Sequence, residues 1–283
     1  MQPSEVTRAT AAAKSVVSSL DLTVNDAIVL QNSNRVTLRL LPCDVLARVS
    51  PAAQQVAQFE VELALRLAEA GCPVGTLEPR VAPRVHHRDG FVVTLWSYYP
   101  PALSRTVSAT EYAKALEQLH AGMREVDMQA PHFTDRVESA QQLIASPDRT
   151  PALGDADREL LGSTLRDLRR AIGERGSADQ LLHGEPHPGN VLTTKQGLRF
   201  IDLETCCRGP VEFDLAHVPE EVGAHYAGVD QDLLRDCRIL MLAMITTWRW
   251  DRDDQLPDGR RLAEQWTNEI RAALGPHGAD ERG

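Results

Sequence analysis

The chain has 283 residues, 42% hydrophobic and 25% charged, an ordinary balance for a globular protein long enough to bury a full core. Thirty lysines and arginines against forty aspartates and glutamates leave a formal charge of −10. That balance argues against a general nucleic-acid or anionic-membrane partner, since both need a basic footprint, and it suits a protein that handles cations.

The amino terminus, MQPSEVTRATAAAKSVVSSL, has no apolar h-region and no cleavage-site pattern. No later run approaches the roughly 20 apolar residues of a membrane span. Residues 26–31, 35–41 and 45–49 are short β-branched and apolar runs separated by Asn32-Ser33-Asn34 and Pro42-Cys43-Asp44, which predicts a meander of antiparallel strands. A helix is expected over roughly 52–70, with Phe59, Leu63, Leu65, Leu67 and Ala68 on its apolar face and Gly71 and Pro73 closing it. APRVHHR, the dipeptide Asp89-Gly90 and FVVTLW read as a hairpin, and Ser97-Tyr98-Tyr99-Pro100-Pro101 as a stiff break. Helical character then dominates. Ser108-Ala109-Thr110-Glu111 is a capping-box sequence opening a helix through Tyr112, Leu116, Leu119 and His120, and amphipathic stretches follow at 153–175, 229–250 and 259–274. The predicted organisation is a strand-rich lobe, residues 1–97, and a helical lobe, residues 98–283.

The five cysteines (Cys43, Cys72, Cys206, Cys207, Cys237) are odd in number and form no C-x-x-C pair, so free thiols in a reducing compartment, the cytoplasm, are expected. No G-x-x-x-x-G-K-[ST] loop, no G-x-G-x-x-G after a strand and no G-x-S-x-G elbow occurs, which removes P-loop, Rossmann and α/β-hydrolase readings.

One irregular segment, 180–218, concentrates the chemistry. It reads His183-Gly184-Glu185-Pro186-His187-Pro188-Gly189-Asn190-Val191-Leu192, a turn at Lys195-Gln196-Gly197, and Leu198-Arg199-Phe200-Ile201-Asp202-Leu203-Glu204. Phosphoryl transfer needs a carboxylate to receive a hydroxyl proton and oxygen ligands to hold Mg²⁺ against nucleotide phosphates. Glu185 can supply the first role, Asn190 and Asp202 the second. The alternating residues on either side of the Lys195-Gln196-Gly197 turn predict a small hairpin that returns Asp202 beside Asn190. His183, Glu185 and His187 do not form the H-E-x-x-H of a zinc site, and Pro186 and Pro188 prevent the helix such a site requires. These histidines read as loop-bracing hydrogen bonders. Trp248 and Trp250 fall on different helix faces, one expected in the core, and Asp251, Asp253 and Asp254 read as a solvated helix end or a cation-recognising wall.

HGEPHPGNVL, followed by FIDLE and GPVEFDLA, resembles the H-G-D-x-x-x-x-N … I-D-[WFL]-E … D-L-A signature of the aminoglycoside phosphotransferase family. VLARV resembles that family's third strand, FEVELALRLAEAGCPV its following helix, VVTLWSYYP its hinge and ALEQLHAGM its first helix beyond the hinge. The resemblance implies an α+β, bilobal protein-kinase-like fold: a five-stranded antiparallel sheet, then a mostly helical lobe. It implies ATP and Mg²⁺ as cofactors and a small-molecule hydroxyl acceptor, which a cationic compound would fit. An antibiotic of the aminoglycoside kind, implying resistance, and a metabolite such as an amino alcohol or sugar remain alternatives.

Position by position, the resemblance puts Glu185 in the catalytic place, Asn190 and Asp202 on the metal, and His183 and Asp214 in support of the catalytic loop. Arg48 falls on the nucleotide cation, with Glu60 as its helix partner and Glu62 as the competitor. Ser33 and Asn34 fall in the loop covering the phosphates, and the backbone of Trp96, Ser97 and Tyr98 at the adenine. Glu204 is either a metal or substrate ligand or a carboxylate behind them. Three positions depart from the pattern: Glu185 stands for aspartate, Arg48 for lysine, and the phosphate loop has no glycine. The first of them, Glu185, keeps a second class of function open, an inert kinase-like protein that binds nucleotide or ligand without transfer.

Overall fold

The computed structural model describes residues 1–53, 56–100, 106–175 and 178–275. Part of the expected break, Pro101, lies outside the described residues. The chain forms two compact units, one of residues 1–128 with 188–205, the other of residues 129–187 with 206–283. Among the described residues no helix is long and apolar enough to cross a membrane.

The first unit opens with helix α1 (Pro3–Ser18), which the sequence pattern did not assign. Strands β1 (Val24–Asn32), β2 (Val36–Pro42), β3 (Val45–Pro51), β4 (His86–Arg88) and β5 (Phe91–Ser97) form one antiparallel sheet in the order β1-β2-β3-β5-β4. The expected five strands are all present. Asp89 and Gly90 turn between β4 and β5 with φ of 51° and 82°, the positive pair a two-residue hairpin of matching twist demands.

Alternation decides the faces of this sheet. Val36, Leu38 and Leu40 on β2 and Val45, Ala47 and Val49 on β3 are fully buried and pack with Ala9, Ala12, Ala13, Val16 and Val17 of α1. Burying each such Val or Leu contributes roughly 1.5–3 kcal/mol. Thr37, Leu46 and Arg48 alternate with them and therefore face the other way, half-buried.

Helix α2 (Val56–Glu69) has the buried stripe Glu60, Val61, Leu63, Ala64 and Leu67. Ala68 is exposed, and Phe59 and Leu65 are only half-buried. The stripe is rotated because it includes a charged residue, Glu60, which apolar periodicity alone would place outside. Helix α3 (Ala109–Glu125) begins where Ser108 accepts a hydrogen bond from the Glu111 N–H at 3.2 Å, and it buries Tyr112, Leu116, Leu119 and His120.

Residues 188–205 supply the unit's last piece, β7 (Val191–Thr194) and β8 (Gly197–Phe200), paired from Val191 against Phe200 to Thr194 against Gly197. Phe200 anchors it: its side chain is fully buried, its N–H donates to the Pro73 carbonyl at 2.7 Å, and its carbonyl accepts from Gly75 at 2.8 Å.

The second unit has its own core, built from helices α4 (Phe133–Ile144), α5 (Asp155–Glu174), α8 (Gln231–Arg249) and α9 (Gly259–Ala273). Short strands β6 (Gln180–Leu182) and β9 (Cys207–Gly209) pair antiparallel and lead into helices α6 (Val211–Leu215) and α7 (Glu220–Gly223). Trp250 is buried here and Trp248 half-buried. All three residues of the acidic run are paired, Asp251 with Arg149, Asp254 with Arg249 at 2.8 Å and the exposed Asp253 with Arg252 at 3.9 Å.

Candidate active site

In the first unit, strands β2, β3 and β5, the Gly75-Thr76 segment and the β7–β8 hairpin enclose a recess of about 110 Å³. Thr37, Leu46 and Arg48 reach it from the sheet face opposite α1, and Trp96, Ser97 and Tyr99 from the end of β5. The hairpin register closes its other wall. The Ile201 N–H donates to the Asn190 carbonyl at 2.9 Å, so Asn190 and Asp202 meet at the open end of β7 and β8, and both line the recess.

Ion pairs organise the polar end. Arg48 contacts the carboxylate of Glu60 and reaches Asp202 Oδ1 at 3.0 Å. Glu60, 3% exposed, also accepts from the Leu203 N–H at 3.1 Å. Glu62 is exposed and takes the Gln58 amide instead, so of the two candidate glutamates the fold brings Glu60 to Arg48. A second guanidinium, Arg35, sits between Asp202 and Glu204 and pairs with both. Asp202 adopts φ of 69°, a left-handed conformation that Asp reaches more readily than most residues.

The charges shape one another. Burial pushes the Asp202 carboxyl up, but Arg48 and Arg35 outweigh it and hold the group below the ordinary range. Burial, seconded by Asp202 and Glu60, lifts Glu204 above its ordinary value against the pull of Arg35. Arg48 loses solvation, yet Glu60 and Asp202 more than compensate and raise its pKa.

Among the remaining candidates of this unit, Trp96 and Ser97 line the recess, and Tyr98 does not. Tyr98 stacks beneath Arg39, with the guanidinium 4.0 Å from the ring centroid. The Ser97 N–H already donates to the Thr76 carbonyl at 2.9 Å, and the Thr76 hydroxyl lies 2.8 Å from the Tyr99 hydroxyl. Ser33 and Asn34 are exposed and bond each other at 3.0 Å; neither lines the recess, and their neighbours Gln31 and Arg35 do. Gln31, Arg35 and Thr76 were not singled out from the sequence. A lone arginine at the start of an expected strand carries no signal of its own, and only the fold reveals that it meets Asp202 and Glu204.

The second unit holds the other group of candidates. Asp214, fully buried, accepts from the His183 N–H at 2.8 Å and from the Gly184 N–H at 2.7 Å. Gly184 has φ of 87°, a conformation that a side chain would strain. The loop is therefore fixed immediately before Glu185, whose N–H lies 3.4 Å from His183 Nδ1. Arg136 of α4 pairs with the Glu185 carboxylate, donates to the Gly184 carbonyl at 3.1 Å, and lies with its guanidinium 5.4 Å from the Trp248 ring centroid. His217 is packed against Phe213. Chemically, the first unit offers a cation-and-carboxylate recess suited to phosphates and a hard metal ion, and the second a carboxylate fixed at the end of a braced loop.

Solved structures share this fold. An amicoumacin kinase, hAmiN, in complex with AMP-PNP, Ca²⁺ and Ami superposes with a TM-score of 0.74 at 11% identity, covering 96% of this chain and 97% of that one. A choline/ethanolamine kinase family protein from Mesorhizobium loti gives 0.67 at 17% identity over 97% and 95%. The GDP complex of aminoglycoside 2'-phosphotransferase-IIIa gives 0.69 at 14% identity over 93% and 97%. No curated protein matches the chain in sequence. Residues 28–273 match the family described as "Phosphotransferase enzyme family", which spans the strands, the hairpin and both groups of candidate residues, and the chain belongs to that family.

Proposed function

We propose that the protein is an ATP- and Mg²⁺-dependent small-molecule kinase, which moves the γ-phosphoryl group onto a hydroxyl of an amino- or hydroxy-compound. The observation that carries this reading is the convergence of Arg48, Asn190 and Asp202 on one recess, with Glu60 behind Arg48. The donors fit the metal. Magnesium takes oxygen ligands, usually one or two carboxylates completed by phosphate oxygens. Asp202 and Asn190 offer a carboxylate and an amide oxygen, and the lining contains no thiol or imidazole. When bound, the metal would neutralise charge on the nucleotide phosphates.

The chain's own residues divide the remaining work. Arg48, aimed by Glu60, presents a guanidinium to phosphate oxygens. Glu185 orients the acceptor hydroxyl and receives its proton, with Arg136 fixing its carboxylate and Asp214 and His183 bracing its loop. The acidic balance favours a cationic acceptor, and the folds it resembles include kinases named for amicoumacin, choline or ethanolamine, and aminoglycosides. A cytoplasmic setting fits five cysteines with no disulfide among them.

A second reading, a nucleotide-binding protein without transfer, draws on the two arginines that hold both oxygens of Asp202. Calorimetry with ATP and Mg²⁺ on wild type and Asp202→Ala, followed by transfer assays against aminoglycosides and amino alcohols, separates the two. Mg²⁺-dependent ATP binding that Asp202→Ala weakens by about tenfold or more supports the site. Transfer within the panel supports the kinase, and binding without transfer to any acceptor favours the second reading. No nucleotide binding in wild type sinks both.

A further inference from the structure

Arg35 has no place in the division of labour above, yet it is central to the recess. Its side chain is 12% exposed, and its two terminal nitrogens pair with different carboxylates, Nη2 with Asp202 and Nη1 with Glu204. Arg48 holds the other oxygen of Asp202. A divalent cation at Asp202 therefore competes with both guanidiniums for the carboxylate, and its charge repels them.

The fold distinguishes them. Arg48 lies within β3, in register with Thr37 on one side and Thr94 on the other, and it is backed by the buried Glu60. Arg35 ends the turn between β1 and β2, next to the exposed residues Asn32, Ser33 and Asn34. It is the guanidinium able to leave. The recess is also small: about 110 Å³, against roughly 300–1,000 Å³ for an ordinary ligand site, with Arg35 among its walls.

Charge and turn chemistry indicate where it goes. The carboxylates of Glu60, Asp202 and Glu204 outnumber the guanidiniums of Arg35 and Arg48 by one. A divalent cation on Asp202 and Glu204 reverses that balance and leaves a positive surplus facing the recess. The 32–35 turn has no glycine and no residue with positive φ, so its backbone is not preformed for close approach to an anion. A long side chain with a forked donor supplies that contact instead.

We propose that Arg35 is a mobile phosphate ligand: it caps Asp202 and Glu204 while no metal is bound, and it yields both carboxylates and turns onto a phosphate oxygen when a metal–nucleotide complex arrives. This inference rests on the reading of the recess as a nucleotide site.

The test uses the full chain as wild type, Arg35→Ala and Arg35→Lys, titrated separately with Mn²⁺ alone, with ATP and Mg²⁺, and with adenosine. Arg35→Ala is expected to bind Mn²⁺ several-fold more tightly, because its competitor is gone. It is expected to bind Mg²⁺–ATP on the order of tenfold more weakly, the loss of one charge-assisted contact, and adenosine as wild type does. Arg35→Lys keeps the cation and should retain most of the ATP affinity. Unchanged ATP affinity in Arg35→Ala, a Mn²⁺ affinity that does not rise, or an equal loss for adenosine would overturn the proposal, the last by showing a merely structural role. Wild type that binds no nucleotide overturns the nucleotide site itself, which is a different failure from wild type that binds and an Arg35→Ala variant that matches it.

Discussion

Arg136 reaches Glu185 with one nitrogen and the Gly184 carbonyl with another at 3.1 Å, which fixes the carboxylate at the end of a side chain with three rotatable bonds. The extra methylene that separates Glu185 from an aspartate thus has a partner at its far end. Shortening it withdraws the carboxylate from Arg136 by about a bond length, and a 1 Å misplacement costs ~10²-fold in rate. Once an acceptor is identified, Glu185→Asp and Arg136→Met are each expected to lower kcat by about ten- to a hundredfold with little change in ATP affinity. A rise in kcat for Glu185→Asp would show instead that the loop had drifted from a site built for aspartate.

His217 illustrates the same unit's sensitivity to acid. Burial, together with Arg136, His187 and His183 and against the pull of Asp214, lowers its pKa from 6.5 to about 3. Its buried Nε2 has no hydrogen-bond partner among the described residues. The unfolded chain takes up a proton on this ring through pH 6.5, while the folded chain resists until about 3. Below pH 6.5 the unfolded state therefore binds more protons, and stability present at neutral pH is lost as pH falls toward 3, at up to roughly 1.4 kcal/mol per pH unit. Denaturant titrations between pH 6.5 and 4 should give a shallower pH slope for His217→Gln than for wild type. Equal slopes would assign the acid lability to other groups.

Among the elements, those legible in the sequence carry strong local signals. The β1–β3 meander, the Asp89-Gly90 hairpin, the Ser108 cap and helices α5, α8 and α9 follow from alternation, turn residues or 3.6-residue periodicity. Helix α1 escaped because its buried face is mostly alanine, which contrasts little with the threonines and serines around it. Strands β6 and β9, three residues each, exist only through pairing across the sequence, Gln180 with Gly209. In the candidate site the β7–β8 hairpin was legible from its turn, whereas Arg35 required the fold that brings it to Asp202.

Helix α3 carries a constraint that propensity alone would reverse. Gly122 lies inside it, and a Cβ built there would sit 2.1 Å from Cys72 Sγ, which is itself buried. Alanine in a helix interior is worth about 1 kcal/mol over glycine, but overpacking costs about 1–3 kcal/mol. Gly122→Ala should therefore lower stability in chemical denaturation. In a Cys72→Ala background, where the sulfur is gone, the same change should be neutral or stabilising. A stabilising effect in both backgrounds would mean that the sulfur moves aside without cost.

At the scale of the molecule, neither unit is a single stretch of chain, because residues 188–205 return to the first unit after the second has begun. The order of elements was readable from sequence; this return was not, since Phe200 meets Pro73 and Gly75 across more than a hundred residues. The charge balance likewise identified a class of partner and no place for it.

The five cysteines, none of them in a disulfide, are unevenly accessible in a way that makes them a built-in reporter. Cys43 is half-buried and the other four are buried, Cys72 in the first unit and Cys206, Cys207 and Cys237 in the second. Burial raises the Cys72 thiol to about 11 and those of Cys207 and Cys237 further, so little reactive thiolate forms on them at neutral pH. A colorimetric thiol reagent is expected to modify one cysteine promptly in the native protein and all five in denaturant. The slow native-state modification of Cys72, resolved by mass spectrometry from that of the other three, then times the opening of each unit without any introduced label. ATP with Mg²⁺ should slow the Cys72 clock if nucleotide binds the first unit, and prompt modification of more than one thiol in native protein would show the buried sites to be open to solvent.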